Sequence, residues 1–347
     1  MTQQPNHKTN DLVISLAVLA AVGIAVWAAF SLMDPTGDNG AGTGREYDKD
    51  FQKLKKFDLS LLKWVEVRPA SPVFLDVPTA VAVLDSGSIC VAGDKAIWIH
   101  TPDGKEAKRV SLSLAPQALA TADETIYVAS RNTIAVLNSN GREQARWAPL
   151  DDKAHLTSLA VSDEYVYAAD AGNRVVMRYD RKTGKRTYKN GRPDSGAFLS
   201  GFNVPSPHLD VALTADGELL TVDPGRSLVQ LRDVYGDVLK SWGSEGSGIT
   251  KFYGCCNPAA IAVMGDGSIV TYEKTLQRVK VYSPEGKLLN VAVGPNDFLD
   301  SAKDARVVPD IAVDRTGRIL VLDPTMKTLR IFKRKQARTR PAGGASL

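Results

Sequence analysis

Histidine and cysteine are the scarcest chemistry-bearing residues in this chain, four and three among 347. Three cysteines exclude a disulfide-stapled scaffold, and neither a C-x-x-C-H haem site nor paired C-x-x-C zinc spacing occurs. Four scattered histidines leave little for a three-ligand zinc centre. There is no G-x-S-x-G elbow, no P-loop and no glycine-rich dinucleotide fingerprint, so nothing points to the enzymes built on those motifs. A basic face is missing as well. The net charge is +4, but Lys333, Arg334, Lys335, Arg338 and Arg340 supply +5 of it near the C-terminus, leaving about −1 for the rest. Nucleic acid is therefore not an expected partner.

What is present is a repeat. Ala82, Ala120, Ala160, Ala212, Ala262 and Ala312 stand 38, 40, 52, 50 and 50 residues apart, each in a short apolar run followed by a polar turn. The unit is clearest over residues 258–287: a β-run at Ile261–Val263, an Asp266-Gly267 turn, a second run at Ile269–Tyr272, a polar loop, and a third run at Val279–Tyr282. A Gly286-Lys287 turn leads to a fourth run, Leu288–Val293. Four short antiparallel strands make one propeller blade, and six such units predict an all-β, six-bladed propeller. An open sandwich is the competing reading. The sixth unit runs from Phe332 into the basic tail without a fourth strand. The unassigned run Leu61–Val67 is expected to lie beside Leu329–Phe332 and close the ring, which removes an open edge.

Before the repeats, residues 12–33 run 22 positions without a charge, enough to cross a bilayer core as a helix. The run is long for a cleaved signal and its exit is a poor cleavage site, so an uncleaved signal-anchor is expected. Lys8 before the span and Asp34 and Asp38 after it place the N-terminus inside. The predicted organisation is a cytoplasmic segment 1–11, a single transmembrane helix 12–33, a glycine-rich tether 34–58, a propeller 59–335 and a basic tail 336–347. The propeller is thereby expected on the periplasmic or extracellular side of the cytoplasmic membrane.

The pattern Pro258-x-x-Ile261-Ala262-Val263, Asp266-Gly267, Arg278-Val279-x-Val281-Tyr282 and Gly286-Lys287 resembles the NHL-repeat family of six-bladed β-propellers, over roughly residues 60–335. The first two units lack the Arg-Val-x-Val-Tyr element. Residues 204–294, with the GCCNP loop inside them, also look like a set of membrane-anchored bacterial NHL-repeat proteins that share that loop. Related propellers include amidating-type lyases and metal-dependent lactonases with sites at the channel mouth, although the histidine set of the former is not matched here.

The uneven spacing predicts the working face. Extra residues in units three to five fall in blade-to-blade connections, 187–207, 243–257 and 294–308, all on one face, while the other carries only tight turns. In the second connection, Cys255 and Cys256 can close as a strained vicinal disulfide, hold a metal or remain small apolar side chains. Asn257, Phe252 and Tyr253 flank them, the two aromatics as a candidate contact patch. Cys90, in an apolar run, reads as a core residue. Acids closing each second strand, with nearby arginines, read either as loop-capping pairs or as a polar rim, and Asp223 with Arg226 and Glu273 with Arg278 are the rim candidates. Asp210 and Asp310 stand two residues before their anchoring alanines, among apolar neighbours, and are candidates for a substrate-orienting or calcium-type cluster. His155 and His208 precede consecutive inner strands and form an incomplete metal pair. No cofactor is required, and a divalent metal is the one this set would suit. Three functions compete: a membrane-tethered binding or scaffold module docking a protein or large ligand over blades three to six; a metal-dependent lyase or lactonase-like enzyme at the channel mouth; and a redox-linked envelope subunit using the Cys255–Cys256 pair.

Overall fold

Turn chemistry shapes the repeats before any packing does. After the first strand of blades one, four, five and six, the N–H of Gly87, Gly217, Gly267 or Gly317 donates to the carbonyl three residues back. Each of these glycines sits at a positive φ between 76° and 85°, a region that a Cβ makes costly. The flanking side chains complete the turns. The Asp314 carboxylate accepts the N–H groups of Thr316 and Arg318, and Asp233 does the same for Tyr235 and Asp237.

The computed structural model describes residues 53–102, 106–188, 196–254, 256–298 and 308–335. The expected transmembrane helix, most of the tether, the basic tail and Cys255 lie outside the described residues. Among the described residues no helix is long and apolar enough to cross a membrane. The sheets all belong to the compact unit that begins at Phe57.

Each sheet has four antiparallel strands. The closing strand β1 (Trp64–Pro72) precedes blade one, β2 (Pro78–Val83) to β5 (Ala107–Ser111); blade two is β6 (Ala118–Ala122) to β9 (Glu143–Arg146). Blade three is β10 (Leu156–Val161) to β13 (Arg186–Thr187), and blade four is β14 (Val211–Leu213), β15 (Leu219–Asp223), β16 (Leu228–Arg232) and β17 (Val238–Trp242). Blade five is β18 (Ala260–Val263), β19 (Ile269–Glu273), β20 (Arg278–Tyr282) and β21 (Leu288–Val293), within a residue of the sequence expectation throughout. Blade six is β22 (Asp310–Val313), β23 (Ile319–Asp323), β24 (Thr328–Arg334) and β1. The inner strands β2, β6, β10, β14, β18 and β22 are neighbours in that order, and β22 returns to β2. The ring is closed, and the sandwich alternative is excluded.

Closure follows the predicted pairing with a shifted start. Glu66 faces Phe332 and Val67 faces Ile331, but the strand begins at Trp64, not Leu61. The Asp58 carboxylate accepts the N–H and hydroxyl of Ser60, which curls Leu59–Leu61 into a 3-10 turn and delays the strand. The seam is fastened by the Glu66–Arg330 ion pair, 2.8 Å, while the buried Trp64 Nε1 donates to Asn290 Oδ1, 2.8 Å, and ties the closing strand to blade five. Apolar clusters fill the spaces between neighbouring blades, for example Ile126, Val128, Ala92 and Ile97 between blades one and two. The axis of the ring is left for something else.

Candidate functional site

Where the outer-to-inner connections arrive at the axis, a cavity of about 290 Å³ opens, lined by residues from all six blades. Asp210 and Asp310 both border it, as do His155 and His208, so four of the predicted site residues are brought together.

The two aspartates sit at equivalent places in blades four and six, and each reaches across to the next blade. Asp210 Oδ2 accepts the N–H of Ile261 at 2.6 Å and Oδ1 that of Val211 at 2.8 Å. Asp310 Oδ2 accepts the N–H of Val81 at 2.8 Å and Oδ1 that of Ile311 at 3.0 Å. They stitch blade four to five and six to one. Ser158 holds the same position in blade three and accepts the Val211 N–H through its hydroxyl at 3.2 Å. Both aspartates keep part of their surface open to the cavity, but its walls withhold enough water to raise them. Desolvation lifts Asp210 to about 6. Asp310 rises to about 7, from desolvation first and then from the charge of Asp210.

The histidines share the cavity in their neutral form. Burial first, and then the charge of Lys274 and the neighbouring His155, push His208 down to about 4. His155 is lowered by burial and by Arg131, against the opposing pull of Asp170. Among the described residues no three His, Cys, Asp or Glu side chains converge in a geometry that would hold a metal ion.

Other predicted residues lie elsewhere, and their placement corrects the rim reading. Asp223, Arg226, Glu273 and Arg278 do not line the cavity; the acids hook incoming connections instead. Asp223 Oδ1 accepts the N–H of Asn203 at 3.0 Å, and Glu273 Oε1 that of Tyr253 at 2.8 Å, each 20 residues upstream. Asp170 takes the N–H of His155 in the same way at 2.8 Å, and Asp94 that of Val77 at 3.0 Å. Arg226 bridges Asp223, 2.5 Å, to the carbonyl of Gly201, 2.8 Å. In blade five the hook is fully buried. Glu273 Oε2 lies 3.1 Å from Lys280 Nζ and 3.9 Å from Arg278, all three without exposed surface. Lys280 donates to the Lys251 carbonyl at 2.6 Å and sits 4.3 Å from the Phe252 ring centroid. Burial holds its amine down to about 8.

Phe252 is therefore not a contact residue: it is 0 % exposed and packs on Trp242 and Tyr282. Asn257 is buried too. Its Nδ2 donates to the Tyr253 carbonyl at 2.6 Å and its Oδ1 accepts the Lys274 N–H at 2.8 Å, which clamps the GCCNP loop to blade five. Tyr253 and Cys256 are half-buried; the expected Cys255–Cys256 pairing falls on a residue that is not described. Cys90 is buried, and its thiol is pushed up to about 12 by desolvation and by Glu124.

Sequence reasoning missed exposed apolar side chains in the connections of blades six and one, of which Val77 borders the cavity. Phe74 is 71 % exposed, Val77 62 % and Met326 45 %. The two segments that carry them meet, since Val73 N–H donates to the Lys327 carbonyl and Lys327 pairs with Asp76. The signal was available as two bulky residues, Phe74 and Val77, in a connection with no strand pattern of its own.

No protein-family model and no curated protein matches the sequence. Solved structures match its shape. A protein of unknown function from Bacteroides thetaiotaomicron VPI-5482 superposes with a TM-score of 0.55 at 16% identity, over 77% of this chain and 72% of that one. A catalytically inactive histidine-to-alanine variant of virginiamycin B lyase from Staphylococcus aureus, solved with quinupristin, gives 0.50 at 13%, over 78% and 98%. The WD40 β-propeller domain of Doa1 gives 0.50 at 14%, over 80% and 97%. At these identities the likeness is one of fold, and the fold is the β-propeller.

Proposed function

We propose that this chain is a membrane-anchored extracytoplasmic propeller of the NHL-repeat type that docks a protein or large ligand on its cavity-bearing face. The observation that carries the reading is the convergence of all six blades on one axial cavity, with the exposed Val77 on its lining. Phe74 and Met326 are exposed in the connections that meet at that edge, Phe74 at 71 %. Exposed apolar side chains beside a concave, polar-floored site are the pattern of an interaction surface. This shifts the docking area toward blades six and one, away from the blades-three-to-six estimate that loop length suggested. The 22 uncharged residues at 12–33 support the anchor and, with the charges on either side of them, the outward orientation.

The test is capture from membranes with the full chain, followed by the same capture with Phe74→Asp and Met326→Asp combined, and with Ser86→Asp on the tight-turn face. Loss with the first pair and retention with Ser86→Asp supports the reading. Equal capture by all three removes it.

A second reading is an enzyme at the channel mouth. It is favoured by His155 and His208 meeting in one cavity and by the fold shared with virginiamycin B lyase, in which a histidine-to-alanine change abolishes activity. Metal analysis of the purified chain, with and without His155→Ala and His208→Ala, separates it from the first: histidine-dependent metal would favour it.

A further inference from the structure

Stitching one blade to the next does not require a carboxylate. Ser158 does it with a neutral hydroxyl, and Ala80, Ala118 and Ala260 occupy the same position in the remaining blades with no polar group at all. Yet blades four and six place Asp210 and Asp310 there, bordering one cavity, close enough for Asp310 to feel the charge of Asp210. Among the described residues neither has a salt-bridge partner, and no positive group figures among the forces acting on either one. Two like charges confined in a poorly hydrated site without a counter-charge are a costly arrangement that binding sites commonly contain.

The rest of the cavity fits the missing partner. Gln117 borders it with an Oε1 that has no surface exposed to solvent and, among the described residues, no hydrogen-bond partner. Each Asp310 oxygen spends one lone pair on a backbone N–H and keeps another, while Asp210 is also hydrogen-bonded to the Ser158 side chain. The lining also carries Val77, Pro207, Val308, Pro309 and Pro324, an apolar collar suited to a methylene stem. The other titratable groups at the cavity are His155, with Arg131 and Asp170 acting on it, and His208, with Lys274.

We infer that the axial cavity takes the cationic end of a basic side chain, a lysine ammonium or an arginine guanidinium, presented by the docked partner, with Asp210 and Asp310 as its counter-charges and the collar around its stem. This inference rests on the docking reading and names the chemistry of its anchor. The cation restores neutrality to the pair and draws both carboxyls into the ionised form, so its binding releases protons and strengthens as pH rises.

The experiment uses the full chain in detergent micelles and calorimetric titration with three probes: N-acetyl-lysine methylamide, N-acetyl-arginine methylamide and, as a neutral stem control, N-acetyl-norleucine methylamide. Expected is saturable binding of a cationic probe at pH 8, at least tenfold weaker at pH 5.5, with no binding of the norleucine probe. His208 is already neutral across this range; the pH series is repeated with His155→Ala, and a loss retained there follows the carboxyls. Asp310→Asn is expected to weaken binding about tenfold. Since that residue also joins two blades, Gln117→Leu, expected to weaken it several-fold, and the pH series on the unaltered chain provide readouts that do not depend on its folding. Binding of norleucine equal to lysine, binding indifferent to pH, or no binding of either cationic probe overturns the inference. If the probes fail while partner capture still depends on Phe74 and Met326, the anchor chemistry is wrong and the docking reading stands; if capture is also indifferent, both fall.

Discussion

Replacing Asp310 by Asn should change stability in opposite senses at the two ends of the pH scale. An aspartate moved from its ordinary 3.8 to about 7 holds its proton more tightly in the folded chain than in the unfolded one. Its contribution is therefore greatest at low pH and is lost as pH rises from about 4 through 7, after which it is flat. Fully desolvated, the ionised group would cost the fold about 4 kcal/mol; the surface it keeps toward cavity water reduces that to about 2 kcal/mol. Asparagine has no charge to bury. Its one oxygen can keep the Val81 N–H, but its amide then faces the N–H of Ile311, a loss of about 1 kcal/mol that does not vary with pH. Between pH 5 and pH 8.5 the parent chain should thus lose about 1 to 2 kcal/mol that the variant keeps. For a domain of this size that moves the gap between their melting temperatures by about 2–4 °C in the variant's favour. Circular-dichroism melts of both proteins in matched micelles, at half-unit pH steps, measure it. A gap that stays constant across the series would show that Asp310 is not held above the ordinary carboxyl range, and the account of the cavity's electrostatics would fail with it.

Glu273→Gln leaves Lys280 and Arg278 buried without their shared counter-charge, and should cost about 3–5 kcal/mol in urea unfolding. Phe252→Ala removes a fully buried ring wedged against Trp242 and Tyr282 and should cost about 3–5 kcal/mol in the same assay, with an intact fold otherwise; an effect under about 1 kcal/mol would put the ring on the surface. Cys90 should resist alkylation by iodoacetamide at pH 8 until the chain is unfolded, because its thiol is buried and pushed up to about 12. Reaction in the folded state at the rate of a free thiol would contradict its placement.

Repetition is what made the fold legible. Asp266-Gly267 and its equivalents are local turns, and the short β-branched and aromatic run Ile269 to Tyr272 is a local strand signal, so six copies in phase announce six blades without any knowledge of what touches what. The closing strand was legible by elimination, since β24 lacked a partner and residues 61–67 lacked a role. What the sequence hid was depth. Glu273 and Arg278 read as loop charges because nothing in their neighbourhood shows that residues 249–252 fold over them; the covering contacts, from Lys280 to the carbonyls of Ile249 and Lys251, span 31 and 29 residues. Phe252 failed for the same reason, since an aromatic in a long loop is a surface residue until a buried lysine is found beneath it. Asp210 and Asp310 stood out as misplaced, but that each grips the following blade is a relation between repeats and leaves no mark within one.

The two aspartates also show why structural and functional readings of a repeat need not compete. Each carboxylate accepts the N–H of the next inner strand, which serves the ring; a hydroxyl at the same place does this without charge, which Ser158 demonstrates. The hydrogen bond therefore accounts for a polar atom and leaves the charge unexplained. A charge that raises its own neighbour's proton affinity weakens the fold at neutral pH, and the ring tolerates it because the long seams between blades spread the cost over many buried apolar contacts. Two substitutions away, with serine in both places, the chain would keep its stitches and lose its axial charge. Such a double variant, Asp210→Ser with Asp310→Ser, should fold at least as well above pH 7 and bind no cationic probe, which separates what the position does for the blade from what it does for the cavity.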